Sequence, residues 1–211
     1  MLHTLPFNEH VAEYEAWFQK YPFVFQSEVE AIRELLPEGD HLRGIEVGLG
    51  TGRFSAALGL KEGVEPAPGM RELAVKRGIE VMAADAERLP YKDLSFDFVL
   101  MAFSICYFKD LSLAFSEANR VLKNGGSLIV GFLDRNSIIG KQYEERKAQS
   151  LFYRSANFYS VKRVTEEFRK HQFRDLHYTQ TLFHTLDEIK EFQPAKPGYG
   201  EGSFVLVRGI K

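Results

Sequence analysis

Three glycines at alternate positions, Gly48, Gly50 and Gly52, follow directly on the short run Ile45-Glu46-Val47. Glycine has no Cβ, so such a loop bends sharply and lies against a ligand. The next strand-like run ends on a second carboxylate, Glu65. Strand, glycine loop, helix, strand, acid is the order in which a doubly wound sheet holds a nucleoside, with the carboxylate accepting from ribose hydroxyls. The spacing narrows the ligand. A dinucleotide loop reads G-x-G-x-x-G and aims a helix N-terminus at a pyrophosphate. This loop reads G-x-G-x-G, with Glu46 two positions before its first glycine. A carboxylate there repels a pyrophosphate but accepts from an ammonium group or from loop amides. The pattern favours adenosine joined to an amino acid over a phosphate-bearing cofactor.

The elements that must position these residues alternate along the chain. Two aromatic-rich helical segments come first: Asn8 is placed to cap one carrying Val11, Tyr14 and Phe18, and Ser27 with Glu30 forms a capping-box pattern for another that ends at Pro37. Strands are expected at 45–47, 63–65, 79–84, 96–103 and 127–133, the fourth a near-continuous apolar run of the kind buried on both faces of a parallel sheet. Helices are expected between them at 54–60, 68–77 and 111–122; Gly78 stops the second, and the third shows one apolar face. A helix over 160–171 and strands over 176–183 and 204–210 follow. Strands separated by helices imply right-handed crossovers.

Four segments in order carry a resemblance to a known family: Glu46-Val-Gly-Leu-Gly-Thr-Gly52; Gly63-Val-Glu-Pro-Ala-Pro-Gly-Met70; Ala84-Asp-Ala-Glu-Arg-Leu-Pro90 with Ser95-Phe-Asp97; and Arg120-Val-Leu-Lys-Asn-Gly-Gly126. In these the chain resembles the class I S-adenosylmethionine-dependent methyltransferases, in particular the small type 11 (UbiE-like) members. The resemblance implies an α/β fold: a doubly wound, mostly parallel seven-stranded Rossmann-like sheet, its last strand antiparallel, with an N-terminal helical cap. It implies one domain over 1–211, with a cap at 1–40, a cofactor-binding half at 41–134 and a substrate-side half at 135–211. It implies S-adenosylmethionine as cofactor, with S-adenosylhomocysteine as product.

The resemblance also distributes roles. Gly48, Gly50 and Gly52 would lie against the methionine part and the sugar, and Glu46 would order the loop. Glu65 would accept from both ribose hydroxyls. Pro66 and Met70 would face the adenine; Asp85 and the Ala86 amide would meet its edge; Met101 and Phe103 would line the pocket beneath the sulfur. Each has a plainer reading from the residues alone. Gly52 also suits close helix–strand packing, Asp85 a turn, and Met101 and Phe103 the core. One stretch departs from the family pattern: Phe103-Ser-Ile-Cys-Tyr-Phe108 stands where many relatives place histidines.

A sulfonium methyl is already electrophilic, so transfer asks chiefly for positioning and needs no catalytic dyad. The segments expected to cover a methyl acceptor are the N-terminal helices, the insert at 134–159 with its aromatics and with Glu144 and Glu145, and the connection at 194–202. Tyr14, His10, Tyr199 and Glu201 are the candidate catalytic groups, and Tyr14 and Trp17 the candidates to close over the cofactor. Transfer to nitrogen, oxygen or carbon of a small molecule is open, and the aromatics and carboxylates there favour a small cationic amine through ring faces and charge. A nicotinamide-dependent oxidoreductase and a non-catalytic S-adenosylmethionine-binding scaffold are the competing readings.

Composition sets the bounds. The 211 residues are 45 % hydrophobic and 27 % charged, with a net charge of −2. That is ordinary for a globular protein and gives no reason to expect a nucleic-acid partner. Cys106 is the single cysteine; it excludes an intramolecular disulfide, and a reducing cytoplasm is the expected location. No apolar run reaches membrane-spanning length, and no signal pattern opens the chain. His3, His10, His41, His171, His177 and His184 show no metal-ligand spacing, so no metal is expected. The expected partner is a small-molecule acceptor, with the chain a monomer or a homodimer.

Overall fold

The computed structural model describes residues 5–211; His3 and its neighbours at 1–4 lie outside the described residues. Three helices open the chain: α1 (Leu5–Glu9), α2 (Val11–Lys20) and α3 (Pro22–Arg33). Strand β1 (Gly44–Val47) leads through the glycine loop into α4 (Arg53–Leu58), and β2 (Glu62–Val64), α5 (Pro68–Lys76) and β3 (Glu80–Met82) follow. The second half carries β4 (Phe96–Ala102), α6 (Leu111–Val121), β5 (Leu122–Leu133), α7 (Ile138–Arg146), α8 (Val161–Lys170), β6 (Arg174–Thr181), β7 (Lys196–Pro197) and β8 (Phe204–Ile210).

The strands form one sheet in the order β3-β2-β1-β4-β5-β8-β6-β7. The pairs from β3 to β5 are parallel, and β8 runs antiparallel to β5, as the family resemblance implied. The sheet has eight strands, not seven. The eighth is the two-residue β7, which pairs Lys196 and Pro197 with Gln180 and Thr179 at the edge of β6. Sequence reading takes that stretch for a loop because two residues, one a proline, give no strand periodicity.

Period-two alternation packs both faces. Val99 and Met101 of β4, Val130 of β5 and Val207 of β8 join Phe115 and Phe168 in one core cluster. Phe98, Leu100, Ile129 and Leu206 point the other way, against Val24, Ile32 and Phe54. A sheet covered on both sides explains the uninterrupted apolar strands.

Two capping assignments are corrected. Asn8 lies inside α1 and serves a different helix, its Oδ1 accepting from the Gly69 amide in the first turn of α5 at 2.8 Å. Pro68 already fills the first position there, so Asn8 takes up one of the remaining orphan donors. Ser27 is not a cap: α3 begins at Pro22, and the buried Ser27 hydroxyl donates to the Phe23 carbonyl and accepts from the Gln193 amide. Proline at the first turn, five residues earlier, outweighs the capping-box pattern. Gly78 stops α5 as read, with a φ of +80°, and the structure adds a cap at α8, where Ser160 accepts from the Arg163 amide.

Gly52 adopts a φ of +78° at the start of α4, and a Cβ there would stand 2.5 Å from Ile79 Cδ1 and 3.1 Å from Ala74 Cβ. Gly52→Ala is therefore expected to destabilise the fold by about 2 kcal/mol. That lowers Tm by roughly 2–4 °C per kcal/mol in a chain of this size, measurable by calorimetry.

Candidate active site

A cavity of about 620 Å³ runs along the carboxyl ends of the strands, at the point where β1 and β4 lead the chain to opposite sides of the sheet. Gly48 and Gly50 form part of one wall, with Glu65, Pro66 and Met70 beside them. Asp85, Ala86 and Lys109 lie along the same wall, Lys109 Nζ standing 3.1 Å from Asp85 Oδ2. The glycine loop is held from below by the Gly48 amide, which donates to the Val64 carbonyl at 2.9 Å. Ser104 donates its hydroxyl to the Val47 carbonyl at 2.8 Å, tying β4 to the loop.

Glu65 is 7 % exposed and accepts from two backbone amides, Gly50 at 2.9 Å and Ala67 at 2.8 Å. Burial raises its carboxyl above the usual range, and the two amides oppose that rise. A carboxylate has about four acceptor sites, so after two amides it keeps capacity for further donors from the cavity it lines. That residual capacity and the absence of any Cβ at Gly50 fit a nucleoside with a vicinal diol. Over Gly50 hangs Tyr14, whose hydroxyl would stand 3.2 Å from a Cβ placed there. Burial, followed by the charges of Glu46 and Glu65, pushes that phenol well above its ordinary range, so it remains a neutral donor.

Of the eleven cofactor residues expected from sequence, eight line this cavity: Gly48, Gly50, Glu65, Pro66, Met70, Asp85, Ala86 and Phe103. Three stand behind it. Gly52 faces Ile79 and Ala74 and serves packing. Met101 is fully buried in the core on the other face of the sheet. In regular strand geometry Met101 and Phe103 share a face, but Phe103 takes a φ of +56° just past the end of β4. That turn swings its ring to the cavity side, where it stacks on Phe204 at 4.5 Å and on Phe54 at 5.6 Å. Leu182, at a φ of +63° just beyond β6, also lines the cavity, so two strained residues sit at the site.

Glu46 is the third. Its buried carboxyl accepts from the Ser55 hydroxyl in α4 and so braces the loop from behind. Burial pushes its pKa up to about 8 from the ordinary 4.5, against the Ser55 hydrogen bond. The folded chain then keeps a proton that the unfolded chain releases. The stability contributed by this group is complete below about pH 4.5 and is lost as pH rises towards about 8. Glu28 and Glu65, also raised, act in the same direction. Tm is expected to fall from about pH 5 to about pH 8, and Glu46→Gln is expected to flatten that slope in thermal melts.

Among the candidate catalytic groups, only Tyr14 lines the cavity. His10 sits at the start of α2 with Nδ1 3.0 Å from Glu13 Oε1. Tyr199 is 56 % exposed and packs on Tyr178. Glu201 pairs loosely with Lys196, and its amide donates to Gln180 Oε1. The pairing of β7 with β6 anchors that connection to the sheet edge, away from the cavity. Within the insert, Tyr143, Phe152 and Tyr153 line the cavity, whereas Glu144 and Glu145 do not. α7, capped by Ser137 and absent from the sequence reading, carries Tyr143 there.

Sequence reading missed several lining residues, Lys109, Leu182 and Glu28 among them. Glu28 of α3 lines the cavity, is 2 % exposed, and its Oε2 has no hydrogen-bond partner among the described residues. Burial holds its carboxyl well above the usual range. The signal was present: Glu28 stands on the stripe Val24, Glu28, Ala31, Ile32, where helical spacing demands an apolar residue. Trp17, Phe18, Phe54 and Phe103 line the same cavity.

Residues 45–130 match the model of a methyltransferase domain family. Over 99 % of both chains, with a TM-score of 0.95 and 48 % identity, the structure is similar to a crystal structure from Thermotoga maritima of a "SAM-dependent methyltransferase, possible histamine N-methyltransferase". An uncharacterized protein of Methanocaldococcus jannaschii is 41 % identical over 205 residues, 97 % of this chain and 98 % of the relative. A demethylmenaquinone methyltransferase of Chlorobaculum tepidum is 34 % identical over 108 residues, 47 % of this chain and 45 % of that one. The chain belongs to the class I S-adenosylmethionine-dependent methyltransferases of type 11: it is an enzyme, and S-adenosylmethionine is its cofactor. The nicotinamide and non-catalytic readings give way to that membership. Among the described residues, no helix is long and apolar enough to cross a membrane, and no group of three or more His, Cys, Asp or Glu stands ready to hold a metal ion.

Proposed function

We propose that the enzyme methylates a small amine held among the aromatic walls of the cavity. The observation that carries this reading is the unpartnered carboxyl oxygen of Glu28, buried on the wall of a space lined by Trp17, Phe18, Phe54 and Phe103. A buried carboxyl oxygen without a donor is unfavourable, and an N–H of a bound ligand relieves it. Aromatic faces favour the same charge. The Thermotoga relative's description as a possible histamine N-methyltransferase supports an amine at 48 % identity.

S-adenosylmethionine supplies the methyl as an electrophile on a sulfonium sulfur. In this reading Glu65 accepts from the ribose hydroxyls, Gly48 and Gly50 let the backbone lie close, and Pro66 and Met70 face the adenine. Asp85 and the Ala86 amide meet the adenine edge. Tyr14 covers the junction between the cofactor and the acceptor. Holding both partners in line contributes on the order of 7–11 kcal/mol to the barrier reduction. An ammonium must lose a proton before its nitrogen can attack, and Glu28 takes that proton at Oε2. Its raised affinity for a proton suits it to the task.

Methyl-labelled S-adenosylmethionine offered with a panel of arylalkylamines, phenols and carboxylic acids tests the reading. Label is expected in the amines. Label confined to phenols or acids overturns it.

A further inference from the structure

Glu15, in the middle of α2, turns away from the cavity and gathers four donors from three side chains of the opposite wall. Its Oε1 accepts from the Thr51 hydroxyl at 2.6 Å. Its Oε2 accepts from Arg53 Nε at 3.0 Å and from a terminal nitrogen of Arg53 at 2.7 Å. A terminal nitrogen of Arg77 donates to the same oxygen at 2.6 Å. Thr51 stands between Gly50 and Gly52, Arg53 opens α4, and Arg77 closes α5. The second arm of Arg77 donates to the Thr51 carbonyl at 2.6 Å, so the guanidinium clasps loop and cap together. Arg53 also lies over the Phe18 ring, one turn further along α2, at 4.8 Å.

The network is partly buried, with side-chain exposure of 15 % for Glu15 and 25 % for each arginine. Burial disfavours the charge of Glu15, but the bonds from Arg53, Thr51 and Arg77 outweigh it and keep the carboxyl ionised. Neighbours of Glu15 on the same helix form the cavity roof: Tyr14 hangs over Gly50, and Trp17 and Phe18 line the space beyond. The cap's other side-chain hydrogen bonds to this wall, among the described residues, come from exposed groups: the Gly69 amide donates to Asn8, and Arg33 of α3 donates to the Ala57 carbonyl of α4 at 2.8 Å. One side chain thus bonds the cap to the glycine loop and to the helices on either side of β2.

We infer that Glu15 is a positioning residue: by binding Thr51, Arg53 and Arg77 it keeps α2 seated over the cofactor, and release of that seat governs escape of the demethylated product. The inference rests on the cofactor occupying this cavity. Glu15 touches no reacting atom; it acts through Tyr14 and Trp17.

The test is release of radiolabelled S-adenosylhomocysteine from the whole protein by rapid filtration. It is run in the native chain, Glu15→Gln and Arg77→Gln. Release is expected to be about tenfold faster in both variants, a conventional size for losing a partly buried charge-assisted contact. In the native chain, raising salt from about 0.05 M to about 0.5 M is expected to speed release, and the variants are expected to lose that response. Trp17 is the only tryptophan, so acrylamide quenching reads the cap directly and should increase in both variants. Release rates within twofold of one another, with no salt response in the native chain, overturn the inference. A lower Tm with unchanged release does so as well, because it marks a purely stabilising network. Failure of the native chain to retain the ligand would sink the assignment of the cofactor to this cavity, and the inference with it. Should the variants not fold, the salt response of the native chain decides alone.

Discussion

Glu28→Gln is expected to lower kcat/KM for an amine by roughly two orders of magnitude while leaving S-adenosylhomocysteine affinity within about twofold. The amide keeps the size of the carboxyl and loses both its charge and its capacity to take a proton. Removing one member of a buried, hydrogen-bonded charge pair typically costs about 2–5 kcal/mol, which sets the scale. The pH profile separates a role in proton transfer from a role in packing. A carboxyl that must be ionised to accept a proton gives an activity that rises with pH through its own titration, and burial places that titration above the usual carboxylate range. The Gln variant should lose this limb. Packing damage alone would lower activity at every pH and leave the limb in place. Because Oε2 of Glu28 has no partner among the described residues, the substitution breaks no hydrogen bond to them at that atom, and Tm should not fall.

Glu65→Ala carries the second large effect. The carboxylate already holds the Gly50 and Ala67 amides, so its loss leaves two buried donors unpaired and frees the loop. In the proposed role it also accepts from both ribose hydroxyls. Hydrogen bonds to a charged group contribute about 1.5–3 kcal/mol each. Loss of two therefore weakens cofactor binding by roughly a hundredfold or more, read by titration calorimetry with S-adenosylhomocysteine. An affinity within about threefold of the native chain would remove Glu65 from the ribose site. Glu65→Gln separates the two duties. Its amide oxygen still accepts from one of the two loop amides, which donate to different oxygens of Glu65, so it should recover part of the loop order and Tm while recovering less of the affinity.

The parts of the site that could be read from sequence are those whose signals are local. Gly48, Gly50, Glu65 and the Pro66–Met70 stretch sit within one strand-loop-helix-strand unit, where backbone geometry and residue type constrain each other over a few positions. The parts that could not be read depend on long-range packing or on one unusual dihedral. Strand periodicity puts Met101 and Phe103 on one face, and only the left-handed φ of Phe103 separates them. Glu28 is hidden because Ser27 and Glu30 mimic a helix start, which makes residue 28 look like an acid in a first turn; the helix in fact starts at Pro22. Tyr199 and Glu201 looked catalytic by residue type in a glycine-rich loop, yet the pairing of Lys196 and Pro197 with β6 holds that loop at the sheet edge. The Glu15 network joins residues from three separate segments, and no spacing rule connects them.

A crystal structure of the protein with S-adenosylhomocysteine and an arylalkylamine addresses the amine reading most directly. The amine nitrogen is expected within about 3 Å of Glu28 Oε2, with its chain among Trp17, Phe54 and Phe103 and the nucleoside diol on Glu65. An amine seated elsewhere, with Glu28 still unpartnered beside an occupied cofactor site, would contradict the account.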